Sequence, residues 1–187
     1  MKSKLVFLSN FLHNPRQIAA VAPSSKYVIN SVIDEIDFNN AKCIVEYGPG
    51  TGSITNEILR HLSHDAKLIC LDVNQKFCKY LSKNIKNSRL AIINDSAVNI
   101  DIYLKKFKIK KIDYALSSIP FTFIKADDKK AIIRKTRDNL AKGGKFIVYQ
   151  QYSLNLKKYL KLYFKKISTV LEVRNIPPTF IYKCEKS

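Results

Sequence analysis

Three of the chain's five glycines fall within seven residues, Glu46-Tyr47-Gly48-Pro49-Gly50-Thr51-Gly52. The short apolar run Cys43-Ile44-Val45 precedes them, and a helical spacing of apolar residues follows at Ile54, Ile58, Leu59 and Leu62. This order reads as strand, glycine turn, helix, the arrangement that lets a backbone approach a nucleotide-like ligand. Glycine suits such a turn because a side chain would block the ligand and tight turns often need positive φ.

The spacing is not that of a dinucleotide fingerprint. Glu-x-Gly-x-Gly-x-Gly, with its acidic residue at the strand end, resembles the first motif of class I S-adenosylmethionine (SAM) methyltransferases. The resemblance implies that Gly48, Gly50 and Gly52 pass under the methionine part of SAM while Glu46 helps fix its amino group.

The remainder of the chain alternates strand-like and helix-like stretches. Strands are expected at 43–47, 67–72, 89–93, 112–117, 144–150, 168–174 and 179–184, with helices near 53–63, 74–85, 96–106, 125–141 and 153–165. Alternation of this kind predicts an α/β layer architecture on a mostly parallel sheet. Only Arg174-Asn175-Ile176-Pro177-Pro178 separates the last two strands. They should pair antiparallel, because a parallel crossover needs a dozen residues or more. Seven strands ending so match the Rossmann-like class I methyltransferase fold, with a single domain over 1–187 and a helical prelude over 1–40. Gly143-Gly144 is expected to cap the fifth helix where the fifth strand begins.

In open α/β sheets ligands bind beyond the carboxyl ends of the strands. The second strand ends at Asp72, 24 positions after Gly48, where a carboxylate can accept from both ribose hydroxyls or cap the next helix. Asp95, after the third strand, could accept from the adenine amine or serve as an N-cap. The fourth strand ends at Ser117-Ser118-Ile119-Pro120-Phe121, on the acceptor side of the fold. Base N-methyltransferases carry Asn or Asp before a Pro-Pro or Ile-Pro step and an aromatic that stacks on the base. Here Ser118 stands in place of that amide, and a hydroxyl lacks its rigid acceptor geometry.

A narrower resemblance covers about residues 11–184. Ile18-Ala19-Ala20-Val21-Ala22-Pro23-Ser24-Ser25-Lys26-Tyr27 is similar to the GAVAPSS segment of small soluble bacterial phospholipid N-methyltransferases. Val173-Arg174-Asn175-Ile176-Pro177-Pro178-Thr179-Phe180-Ile181-Tyr182 resembles that family's ending. Ser117-Ser118-Ile119-Pro120 and Gln151-Tyr152-Ser153 resemble its fourth and fifth motifs. The likeness implies methylation of phosphatidylethanolamine or its methylated forms. Ser117, Ser118 and Pro120 would line the acceptor side, with Tyr27 and Tyr152 orienting the amine. The related rRNA adenine N6-dimethyltransferases share the glycine loop but add a helical RNA-binding domain after the seventh strand. This chain ends at Ser187, three residues past its last expected strand, which points away from RNA. An RNA adenine methyltransferase without that domain is the alternative. A SAM-fold binding module without catalysis is a further one, against which the intact loop speaks.

The net charge of +18 favours a polyanionic partner, an anionic membrane surface or RNA. Abundant Lys, Ile and Asn together also express a compositional bias that raises lysine by itself. Lys2 to Asn14 puts Leu5, Leu8 and Leu12 on one helical face, suited either to a membrane interface or to covering the sheet. Lysines mix with aromatics at 157–166 and 105–111, stretches that could meet the polyanion or be solvated helix faces. No apolar run reaches a membrane-spanning length and no signal-peptide pattern appears, so a cytoplasmic protein held peripherally at the inner membrane face is expected. Four cysteines without C-x-x-C spacing read as reduced, mostly buried thiols, and three scattered histidines build no metal site.

Overall fold

The computed structural model describes residues 25–151 and 155–187. Among these described residues, seven strands form one sheet in the order β3-β2-β1-β4-β5-β7-β6. They are β1 (Cys43–Tyr47), β2 (Lys67–Leu71), β3 (Leu90–Ile93), β4 (Ile112–Ser117), β5 (Leu140–Gln150), β6 (Lys166–Glu172) and β7 (Thr179–Glu185). β1 to β5 pair in parallel, and β7 runs antiparallel to both β5 and β6. This is the α/β, mostly parallel sheet with an antiparallel last strand that the alternation predicts.

Among the described residues there are six α-helices: α1 (Lys26–Ile33), ahead of β1, then α2 (Ser53–His61), α3 (Gln75–Asn84), α4 (Ile100–Lys106), α5 (Ala126–Asn139) and α6 (Leu156–Leu160) between strands. β1 is buried at every position, as a central strand flanked on both faces must be. Its side chains alternate between two cores. Cys43, Val45 and Tyr47 join a core that includes Ile100, Leu104, Ile133 and Leu160. Ile44 faces the other core, where Val28 and Val32 of α1 meet Ile54 and Ile58 of α2. The described part of the helical prelude therefore packs against the sheet. All four cysteines are free and buried.

Three local expectations change. The fifth helix stops at Asn139 with Leu140 as its C-cap, and β5 begins at once. Gly143, with φ +76°, lies inside β5, where the register against β4 shifts between Ile112 and Tyr114. Its role is to let the strand bulge, since positive φ is strained for any side chain. The helix expected near 153–165 shortens to the five residues of α6, and the stretch expected as 96–106 divides into a 3₁₀ turn at Ala97–Asn99 and α4.

Candidate active site

The strand order reverses between β1 and β4, and a crevice opens beyond their carboxyl ends at that switch. Backbone hydrogen bonds continue the ladders past the strands: Gly48 N donates to Leu71 O (2.8 Å), Asp72 N to Ile93 O (3.0 Å) and Ser118 N to Tyr47 O (3.1 Å). These bonds bring the glycine turn, Asp72 and Ser118, far apart in sequence, onto one edge. A cleft of about 390 Å³ opens there. Gly48, Gly50, Asp72, Asp95, Ser118 and Pro120 all line it, together with Leu71, Phe77, Ile119, Phe123 and Ile132.

The glycine turn is required twice over. A Cβ on Gly48 would sit 3.0 Å from Ser118 Oγ, with φ at +72°. Gly52 N-caps α2 at φ +83°, and a Cβ there would come 2.6 Å from Leu81 Cδ2 of α3. Gly52 does not line the cleft; its glycine is demanded by helix packing behind the loop.

Glu46 also lies behind the cleft wall, fully buried. Its Oε2 accepts from Thr55 Oγ1 (2.6 Å) and Cys70 Sγ (3.4 Å), while Oε1 has no partner among the described residues. Burial pushes its carboxyl up to about 7, against the smaller opposing effect of the Thr55 hydrogen bond. An orphaned acceptor in this place suits a cationic amino group. Asp72 accepts from Asn74 N (2.8 Å) and from the Gly50 backbone, so one carboxylate ties the turn to the end of β2. Burial raises its pKa. The cap of α3 itself is Asn74, whose side chain accepts from Lys76 N.

Asp95 is the hub of its own turn. It accepts from Tyr103 Oη (2.6 Å), Ser96 N (2.6 Å) and Asn99 Nδ2 (2.9 Å), and the Tyr103 bond does most to hold its pKa down. A carboxylate offers about four lone-pair sites, so one remains for a ligand amine.

The acceptor side divides. Ser117 is fully buried, accepts from Ile119 N (3.3 Å) and does not reach the cleft. Ser118 donates to Gly48 O and stands beside the Tyr149 phenol, whose pKa burial drives well above its usual value. Phe121, at the place of the aromatic that base N-methyltransferases stack on their acceptor, is fully buried in the core; Phe123, two residues on, is the exposed aromatic of the cleft. Tyr27 sits outside the cleft lining, its ring under Arg174 with the guanidinium carbon 4.3 Å from the centroid. Arg174 in turn forks onto Glu172 and holds that carboxyl down at about 2. Tyr152 lies outside the described residues. Gln150, not anticipated from the sequence, accepts from Phe121 N (3.1 Å) and so fixes the turn after β4. Its position next to Gln151-Tyr152-Ser153 was the available signal.

Known proteins supply the decisive comparison. The profile of a family described as "Methyltransferase domain" matches residues 44–144, from β1 to the start of β5. This chain belongs to that family. The methyltransferase is 26% identical over 185 residues to the ornithine lipid N-methyltransferase of Singulisphaera acidiphila, covering 98% of this chain and 96% of that one. It is 29% identical over 119 residues to the ribosomal RNA small subunit methyltransferase A of Mycoplasma capricolum. That match takes in 64% of this chain and 38% of the relative. In fold it is similar to the N-methyltransferase NodS from Bradyrhizobium japonicum in complex with S-adenosyl-L-homocysteine, with TM-score 0.70, 10% identity and 98% of each chain covered.

The cofactor is SAM, and the cleft fits it. Asp72 and Asp95 would serve as acceptors for ribose and adenine, the glycine turn would pass under the methionine moiety, and the buried Glu46 carboxyl, behind the wall, would favour its ammonium. Leu71, Phe77 and Ile132 give apolar walls. Among the described residues no group of three or more His, Cys, Asp and Glu could hold a metal ion, and no helix is long and apolar enough to cross a membrane.

Proposed function

We propose that this methyltransferase is an N-methyltransferase of a lipid amine, acting on phosphatidylethanolamine or its partly methylated forms at the inner membrane face. The observation that carries this reading is coverage. The ornithine lipid enzyme matches end to end, whereas the ribosomal RNA relative matches just 38% of its own length. The acceptor wall agrees, because Ser118 has its hydroxyl committed to Gly48 O and offers no amide to a base.

Bound SAM would supply a sulfonium methyl to a neutral amine, whose lone pair forms the new N–C bond as the S–C bond breaks. The protein's own part is positioning. Asp72 and the glycine turn fix where the donor lies, while Ser118, locked between Gly48 and Tyr149, shapes the wall beside it. Pro120 and Phe123 present apolar surface that keeps water from the amine. The net charge of +18 draws the enzyme to anionic lipid, each lysine near the surface contributing ~1 kcal/mol.

The test is transfer of labelled methyl from SAM to three acceptors side by side: phosphatidylethanolamine vesicles, ornithine lipid vesicles and bulk RNA. Product on a lipid amine and none on RNA is expected. Robust RNA methylation without lipid product would overturn the reading in favour of an RNA adenine N6-methyltransferase.

A further inference from the structure

Among the described residues, the large apolar side chains left in water are not spread evenly. Val73 (75% exposed) lies two residues past β2, and Phe123 (58%) lies in the turn after β4; both line the cleft. Val173 (64%) and Ile176 (92%) occupy the turn between β6 and β7. That turn lies at the same end of the sheet, because Phe180 of β7 pairs with Gln150, the last residue of β5, and Glu172 pairs with Thr179. Val170 and Leu171 are also exposed where β6 approaches the turn. At about 4.8 Å per strand, the row from β2 to β7 runs roughly 20 Å along the edge that holds the cleft.

The turn is held firmly. Asn175, itself buried, donates to Pro177 O (2.8 Å) and Thr179 Oγ1 (2.9 Å), and its Oδ1 accepts from Ser25 N at the start of α1 (3.2 Å). Arg174 is clamped between Glu172 and the Tyr27 ring. An exposed Ile176 on so rigid a base is presented outward rather than left over from poor packing. Cations accompany the apolar tips: Lys26 and Arg174 share the Tyr27 ring at the turn, and Lys125 follows Phe123 by two residues in the chain. No carboxylate among the described residues pairs with Lys26 or Lys125. Convex apolar tips flanked by cations fit the headgroup–acyl boundary of an anionic bilayer, where tips enter the apolar layer and cations meet phosphate.

We infer that this rim, Val73 and Phe123 at the cleft mouth and Val173 and Ile176 on the β6–β7 turn, seats in the surface of an anionic phospholipid bilayer. The cleft then opens onto the monolayer, and a lipid amine reaches it without leaving the membrane. This rests on the lipid-amine reading for its purpose, though the docking can be measured without any methyl transfer. It also separates two components of binding: lysines act at a distance and are screened by salt, whereas inserted tips are not.

The chain has no tryptophan, so a single indole can report where it sits. Ile176→Trp and Leu162→Trp are compared, Leu162 being exposed (61%) in the connection that leads to the opposite end of the sheet. With vesicles of phosphatidylethanolamine and phosphatidylglycerol, the Ile176→Trp emission should shift to the blue and be quenched by acyl-chain bromine, while Leu162→Trp stays in water. Vesicle binding with Ile176→Trp unquenched, equal quenching of both, or no vesicle binding would each overturn the inference. A V173D/I176D variant, checked by its melting curve and S-adenosylhomocysteine affinity, should lose at least about tenfold in vesicle binding at high salt. Its methyl transfer should fall on vesicles and persist on dispersed short-chain phosphatidylethanolamine; retention on both, or equal loss on both, would count against the rim. Absence of lipid product from the parent protein sinks the lipid-amine reading and leaves the quenching result to decide docking alone.

Discussion

The two halves of the cleft edge are built on different principles. Over β1, β2 and β3, backbone and carboxylates converge: Gly48 bonds to the end of β2, Asp72 to the glycine turn, Asp95 to its own turn. Over β4, β5 and the β6–β7 turn, most polar side chains serve the protein itself. Ser117 supports Ile119, Gln150 supports Phe121, and Arg174 supports Glu172. A cofactor of fixed shape calls for fixed chemical groups at fixed heights above the sheet. The acceptor half presents shape and apolar surface, leaving specificity to what can approach it.

The sharpest way to break this comparison is Asp72→Ala. If the first half works through charged hydrogen bonds, the loss of two bonds to a carboxylate costs roughly 1.5–3 kcal/mol each, so calorimetry should show SAM affinity falling by about a hundredfold or more. Unchanged affinity would remove Asp72 from the site and leave the turn as packing alone.

The next effect is electrostatic. Glu46 is raised from 4.5 to about 7 in the folded protein, so between those values the native state keeps a proton that the unfolded chain has released. Stability from this group is therefore highest below pH 4.5, declines as pH rises toward about 7 and levels off above it. The total decline is roughly 3 kcal/mol. Glu46→Gln has nothing to ionise, so its melting temperature should gain on the parent's between pH 5 and pH 8. Saturation with S-adenosylhomocysteine should flatten the parent's slope, because the ligand ammonium favours the carboxylate. Identical pH slopes in parent and variant would show that the orphaned Oε1 is not a charge site.

The smallest effect sharpens the acceptor half. Tyr27 offers its ring to Arg174, and among the described residues no hydrogen bond engages its hydroxyl. Tyr27→Phe should leave methyl transfer within about twofold, since the aromatic face is retained. A large fall in kcat would restore the phenol oxygen to the amine site and move Tyr27 across the comparison.

How much could be read without coordinates follows the same division. The glycine turn, Asp72 and Asp95 were legible because a parallel sheet with a known switch point leaves few places for a ligand, and each of these residues ends a strand. Phe121 and Phe123 show the limit. Both are phenylalanines in one turn, and the hydrogen bond from Phe121 N to Gln150, 29 residues away, goes with burial of the first while the second stands out in water. Gly143 shows another: a glycine after a helical stretch suits a C-cap, but pairing with β4 draws the strand back to Leu140 and turns the glycine into a bulge. Tyr27 was placed by its neighbours in sequence, and its ring instead meets Arg174, 147 positions later.

By itself, then, the order of residues determined the strand–turn–helix alternation, the antiparallel close and the carboxylates at the strand ends, because these depend on local spacing and on the fixed handedness of βαβ connections. The tertiary structure alone decided which face each cleft residue shows, because burial is set by partners across the sheet. It placed Ser118 against Gly48, left Glu46 Oε1 without a partner among the described residues, and joined Ser25 to Asn175 across 150 residues. That last contact gathers the turn beneath Ile176 at the cleft edge, since a hydrogen-bonded ladder carries β7 back alongside β5.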